Sequence, residues 1–128
     1  MLIVNDYELE LLKQKTGLDE KALIAQTGLL VVTKGEHGSS LMTASDRIDV
    51  AAVAPRAIVD PTGVGDAFRG GLMKGMVAGL DLRTSGQLGS VAAAYALEHL
   101  GGTSHSYTTK EFAARYQDHF GPLGIWPN

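Results

Sequence analysis

Asp60-Pro61-Thr62-Gly63-Val64-Gly65-Asp66-Ala67-Phe68-Arg69-Gly70-Gly71 is the stretch on which the reading of this chain turns. It follows a β-type triplet, Ala57-Ile58-Val59, and opens an apolar-periodic segment that reads as a helix to about Ala78, closed by Gly79. Pro61 ends the strand, while Gly63 and Gly65 admit backbone angles closed to other residues. Such a turn points successive N–H groups outward at a helix N-terminus, where the dipole is also positive. The result is an anion site made of backbone. Asp66, in the first turn beside it, has two readings. It is an acid that complements the dipole, or a general base that takes a proton from a hydroxyl attacking a bound phosphate. Spacing alone leaves both open.

Upstream, Leu2-Ile3-Val4-Asn5 reads as a short buried strand, and Asn5 and Asp6 cap a helix through about Lys15 that Thr16-Gly17 stops. Asp19-Glu20 starts a second short helix ending near Gly28. Leu29 to Lys34 is a continuous, β-branched run, the pattern of a strand buried on both faces. A turn over Gly35 to Gly38 leads to a return strand, Ser39 to about Thr43, and Ile48 to Val53 is again extended. Downstream, Arg83-Thr84-Ser85 begins a helix to Leu100 that is rich in Gly, Ala and Ser, so that another backbone or a flat ligand can approach closely. Thr108 or Thr109 caps a last amphipathic helix to about His119. Strands alternating with helices predict one α/β domain over 1–128, with helices packed on a mostly parallel sheet.

The composition excludes several classes. At 128 residues, with 45% hydrophobic and 20% charged residues, the chain matches an ordinary globular domain able to bury a core. A net charge of −3 leaves no footprint for nucleic acid or an anionic membrane. No cysteine is present, which rules out disulfides and thiolate metal sites and suits a cytoplasmic protein. Met1-Leu2-Ile3-Val4 runs straight into Asp6 and Glu8, unlike a signal peptide, and no uncharged apolar run reaches membrane-spanning length. His37, His99, His105 and His119 are scattered without metal-ligand spacing, and no Walker A run or nucleophile elbow occurs.

The stretch from Asp60 to Gly71 resembles the signature of the ribokinase-like, or phosphofructokinase-B, family of sugar and nucleoside kinases. Pro61 and the Phe68-Arg69 pair are more similar to its adenosine-kinase branch. The resemblance implies an ATP-dependent transfer of the γ-phosphoryl group to a primary hydroxyl of a sugar or nucleoside. It makes Asp66 the catalytic base and the backbone of Gly63, Val64, Gly65 and Asp66 the anion hole. Arg69, three residues on along the same helical face, either neutralises phosphoryl charge or pairs with Asp66 or Asp60. Asp60 and Thr62 match positions that help to bind a potassium ion in some members.

Asn5-Asp6-Tyr7-Glu8 reads by itself as a capping box, Asn5 the cap and Glu8 its partner. The resemblance instead equates it with the family's N-x-x-E motif, with Glu8 holding magnesium through water and Asn5 ordering the same network. Thr33, Lys34 and Gly35 resemble a segment that lies along the nucleotide. These candidates follow strand ends, where open α/β sheets bind ligands, and that agreement is independent of the family match. The segment from Ala92 to Thr103 resembles the adenine-flanking helix and loop. Ala93, Ala96, Leu97 and Gly102 would then border the base, against the simpler reading of the first three as core. The resemblance covers Leu2 to about Phe120 and equates the chain with the C-terminal portion of the three-layer fold. The β-strand lid and the upstream G-G motif that hold the acceptor have no counterpart. A parallel sheet cut there bares an apolar edge, which predicts a homodimer or larger assembly through the Leu2-to-Val4 side. A nucleotide-binding module without transfer is the alternative.

Overall fold

The computed structural model describes residues 1–56, 58, 63–98 and 109–122. Four strands form one sheet in the order β1 (Leu2–Asn5), β2 (Leu30–Thr33), β3 (Ser39–Met42), β4 (Arg47–Val50). Two helices, α1 (Asp6–Thr16) and α2 (Glu20–Thr27), connect β1 to β2, and this crossover makes that pair parallel, with Asn5 opposite Thr33. β2 and β3 are joined by a one-turn 3₁₀ helix over Gly35–His37, too short for a crossover, and so pair antiparallel, as do β3 and β4. The expectation of a mostly parallel sheet therefore holds for β1 and β2 alone among the described strands.

Helices cover both sheet faces. Alternation along the strands sends Leu30, Val32 and Met42 toward Leu9 of α1 and Leu23 of α2. It sends Val31, Leu41 and Val50 toward Phe68 and Leu72 of α3 (Val64–Val77), with Leu82 and Ala93 of α4 (Leu82–Leu97) packed alongside. β2 is buried throughout its apolar run: Leu30 and Val31 are 0% exposed and Val32 is 5% exposed, as a two-faced strand requires. A third cluster joins Val53 to Leu88, Val91 and Tyr95 of α4 and to Tyr116 of α5 (Thr109–Phe120).

The small residues of α4 serve the helix pair. A methyl group on Gly71 would fall 2.6 Å from the Leu88 carbonyl oxygen, and one on Gly89 would fall 2.9 Å from Phe68. The backbones of α3 and α4 therefore touch at Gly71, Gly75 and Gly89. Element ends differ from the expectations by small amounts. β4 ends at Val50 rather than Val53, and α4 begins at Leu82, capped by Asp81, whose side chain accepts the Thr84 amide at 2.7 Å. The expected strand over Ala57 to Val59 lies outside the described residues except Ile58, which belongs to no strand and is 71% exposed.

Candidate functional site

The candidate residues Asn5 and Thr33 lie side by side at the end of the sheet where β1 and β2 finish. Asn5 ends β1 and caps α1: its Oδ1 accepts the Glu8 amide at 2.7 Å, and Glu8 Oε1 accepts the Asn5 amide at 2.9 Å. The capping-box reading of this motif is thus realised in the backbone. Both side chains stay exposed, at the carboxyl end of a strand. Thr33 ends β2 beside Asn5 in register. Gly35, at a φ of 58°, begins the turn that follows.

Gly63 forms the N-terminus of α3 in the left-handed conformation, φ 80° and ψ 3°, which glycine adopts without penalty. As an N-cap it brings no side chain to the amides of Val64, Gly65 and Asp66, which have no partner within the helix. The first intrahelical bond runs from the Ala67 amide to the Gly63 carbonyl at 2.9 Å. A methyl group at Gly65 would meet nothing within 4 Å, so this first turn faces open space. Asp66 follows with its side chain 85% exposed.

Arg69 ties this turn to the sheet. Its Nη2 donates to the Ile3 carbonyl at 3.2 Å, and Nη1 lies 3.4 Å from Asp66 Oδ1. Of the two readings of Arg69, pairing with Asp66 is the one seen here. Such an exposed pair is worth at most about 1 kcal/mol and leaves both groups free to re-pair with a ligand. Through Ile3, the helix start comes to the strand that carries Asn5.

Lys34 is directed elsewhere. Its Nζ donates to Ser40 Oγ at 2.8 Å, and Ser40 donates to Asp49 Oδ1 at 2.6 Å, with Arg47 Nε 3.3 Å from the same carboxylate oxygen. The Ser40 hydrogen bond, helped by Arg47 and Lys34, holds the Asp49 carboxyl below the usual carboxylate range. Sequence reasoning missed this network because Ser40 and Asp49 meet Lys34 only through strand register.

The base-side candidates divide. Ala96 is 0% exposed and belongs to the core, Ala93 is partly buried against the Phe68 cluster, and Leu97 keeps some surface. Gly102, Asp60 and Thr62 lie outside the described residues. Among the described residues no group of three His, Asp or Glu side chains converges on a metal position, and no helix is long and apolar enough to cross a membrane. A cleft of about 580 Å³ opens at the other end of the sheet, lined by Lys13, Asp19, Lys21, Ile24 and Thr43 among others. It holds none of the candidate residues. Lys13 there pairs with Glu10 and Glu20 as a solvated surface cluster.

This geometry has close counterparts among known proteins. The chain is 33% identical over 122 residues to a nucleoside kinase of Methanothermobacter thermautotrophicus, covering 94% of this chain and 39% of that one. The structure of a Burkholderia thailandensis nucleoside kinase in complex with inosine matches with a TM-score of 0.91 at 38% identity, over 94% of this chain and 40% of that one. The same protein in complex with ADP-inosine matches with a TM-score of 0.90 at 37% identity, over 98% and 39%. The Methanocaldococcus jannaschii nucleoside kinase, an archaeal member of the ribokinase family, matches with a TM-score of 0.88 at 28% identity, over 92% and 40%. The chain thus spans about two-fifths of the length of the relatives it matches. The model of the pfkB family carbohydrate kinases matches residues 1–110, and with the three-layer fold and the glycine-opened helix in place, the chain belongs to that family.

Proposed function

We propose that this chain carries the ATP-binding and catalytic-base-bearing part of a kinase that transfers the γ-phosphoryl group of ATP to a primary hydroxyl, with a nucleoside as the favoured acceptor. The observation that carries the reading is the start of α3: a left-handed glycine, an open first turn and an exposed carboxylate beside it. Asp66 takes the proton of the acceptor hydroxyl as the hydroxyl oxygen attacks the γ-phosphorus, and the bond to the β,γ-bridging oxygen breaks to release ADP. The amides of Gly63 to Asp66 hold the charge that develops on the equatorial oxygens. Arg69 exchanges its pairing with Asp66 for the phosphoryl group. Thr33, Gly35 and the backbone of Lys34 border the nucleotide, the Lys34 side chain being held by Ser40, and Ala93, Leu97 and Gly102 border the base.

The donor set fits magnesium only in one manner. Glu8 is a single exposed carboxylate with Oε1 on the Asn5 amide, which suits a water-mediated contact to an ion carried mainly by phosphates rather than a protein cage. Such an ion, when bound, neutralises phosphate charge. A potassium role for Asp60 and Thr62 rests on the sequence resemblance. The nucleoside preference is supported by the nucleoside kinases among the relatives and by the inosine complex of the Burkholderia protein.

The span of the match favours a second reading, in which this chain by itself binds nucleotide without transferring phosphate. A magnesium–ATP titration followed by a phosphotransfer assay against nucleosides and sugars separates the two. Asp66→Asn is expected to lower transfer by about 10²- to 10⁴-fold with ATP affinity nearly intact. Loss of binding in proportion to transfer would overturn the role of Asp66. ATP binding by the unaltered chain with no transfer to any acceptor would establish the second reading.

A further inference from the structure

Among the described strands, β1 pairs with β2 alone and β4 with β3 alone, so each leaves one side open. In β1 the Leu2 amide donates to the Leu29 carbonyl at 2.9 Å, with Leu2 opposite Leu30 and Val4 opposite Val32. Backbone groups alternate in direction along a strand. Leu2 and Val4 therefore face β2, while Ile3 turns its N–H and C=O outward. The Ile3 carbonyl accepts Arg69 Nη2 at 3.2 Å, and the Asn5 amide, next in the same direction, donates to Glu8 Oε1 at 2.9 Å.

The two outer strands are protected differently. β4 carries Arg47 and Asp49, whose side chains are 57% and 63% exposed, the kind of charge that discourages edge-to-edge pairing. β1, with the sequence Leu2-Ile3-Val4-Asn5, carries no charged side chain. The cation at its edge comes from α3. On that helix Met73 and Met76 follow Arg69 at i+4 and i+7, on the same flank, and are 43% and 38% exposed. A neighbour pairing with β1 therefore also covers apolar surface.

We propose that this neighbour is a second copy of the chain, and that Arg69, by holding the Ile3 carbonyl, sets how tightly the two copies pair. Two β1 strands set antiparallel about a two-fold axis at Ile3 place the Ile3 residues opposite each other, where each N–H donates to the other's carbonyl. The axis stands perpendicular to the sheet, so both α3 helices lie on one face and their methionine flanks turn toward each other. Pairing needs both carbonyls free of Arg69, and it brings two guanidinium groups together as like charges beside the axis. Arg69 thus opposes an association that the strand and the methionines favour. The inference is independent of the nucleotide reading, since it uses only the β1 edge and the flank of α3.

The test compares the full chain with Arg69→Ala and with Lys74→Ala, which removes the same charge from another exposed position of α3. Alanine at an exposed helical position preserves the fold. Sedimentation equilibrium gives the dimer dissociation constant, and amide hydrogen exchange at Ile3 is followed below and above it. Arg69→Ala is expected to tighten the dimer about tenfold or more, because a charged hydrogen bond no longer competes for each carbonyl, while Lys74→Ala stays within about twofold of the unaltered chain. The Ile3 amide should be protected in the dimer and exchange freely in the monomer. An Arg69→Ala chain that associates no more tightly than the unaltered one overturns the proposal, as does equal tightening by Lys74→Ala. A dimer whose Ile3 amide exchanges as fast as the monomer's also overturns it, assigning the contact to the helix flank instead.

Discussion

Replacing Gly71 by alanine tests the packing that aims α3 at the sheet end. The new methyl carbon would sit 2.6 Å from the Leu88 carbonyl oxygen and 2.8 Å from the Gly89 Cα. Carbon atoms in contact rest at about 3.5 Å, so the helices must part by about 0.7 Å or bend. The obstacles are α4 backbone, which no rotamer change can clear. Leu88 itself is 2% exposed, fixed in the core behind the contact. Overpacking of this kind costs about 1–3 kcal/mol, which for a domain of this size lowers the melting temperature by about 4–12 °C. Gly70, the preceding residue on the same helix, supplies the control, because a methyl there meets nothing within 4 Å. Gly70→Ala should gain about 0.5–1 kcal/mol from reduced backbone freedom and melt a few degrees higher. Thermal unfolding followed by circular dichroism reads both. A Gly71→Ala protein melting within about one degree of the unaltered chain, or shifts of the same sign in both variants, would refute the close-approach account.

Two further expectations concern acid stability and assembly. Burial works to raise the Glu98 pKa, yet the hydrogen bonds from Arg115 and the Arg56 amide, with their positive charges, hold it below the usual glutamate range. A carboxyl depressed by folding contributes stability that is complete above its unfolded value, about pH 4.3, and is lost as pH falls through the folded one. The gap in unfolding free energy, from urea titration, between the unaltered chain and Glu98→Gln, about 3–5 kcal/mol when a buried pair is broken, should therefore close below that range; a gap constant from pH 7 to pH 3 contradicts the assignment. Among the described residues β1 pairs only with β2, while Tyr7 on α1 and Met73, Met76 and Val77 on α3 are exposed. We therefore expect self-association through the β1 side, and light scattering that finds a stable monomer at high concentration would end that expectation.

Local chemistry made much of this protein legible from its residues. Glycine at 63 and the acid at 66 mark a helix start; Asn5 and Glu8 mark another; the β-branched run of β2 marks a buried strand. Each depends on residues no more than about four apart, whose backbone preferences act before any tertiary contact forms. Asp81 belongs to the same class: its side chain caps α4 two residues before the start expected at Arg83. Sheet direction past β2 was also within reach, since a turn as short as Gly35–His37 leaves room only for an antiparallel return.

Other features exist only because distant segments meet. Ser40 and Asp49 take up Lys34 through strand register, and Arg69 finds the Ile3 carbonyl 66 residues away. The glycines at 71, 75 and 89 reveal their purpose only where α3 and α4 touch. Glu98 and Arg115, 17 residues apart on different helices, become a pair only when α5 folds back over Val53 and Tyr95. Sequence thus determined the glycine-opened helix start and the family, because those reside in contiguous backbone. Tertiary structure decided how the pieces are held relative to one another, because that depends on side chains whose partners chain order does not name.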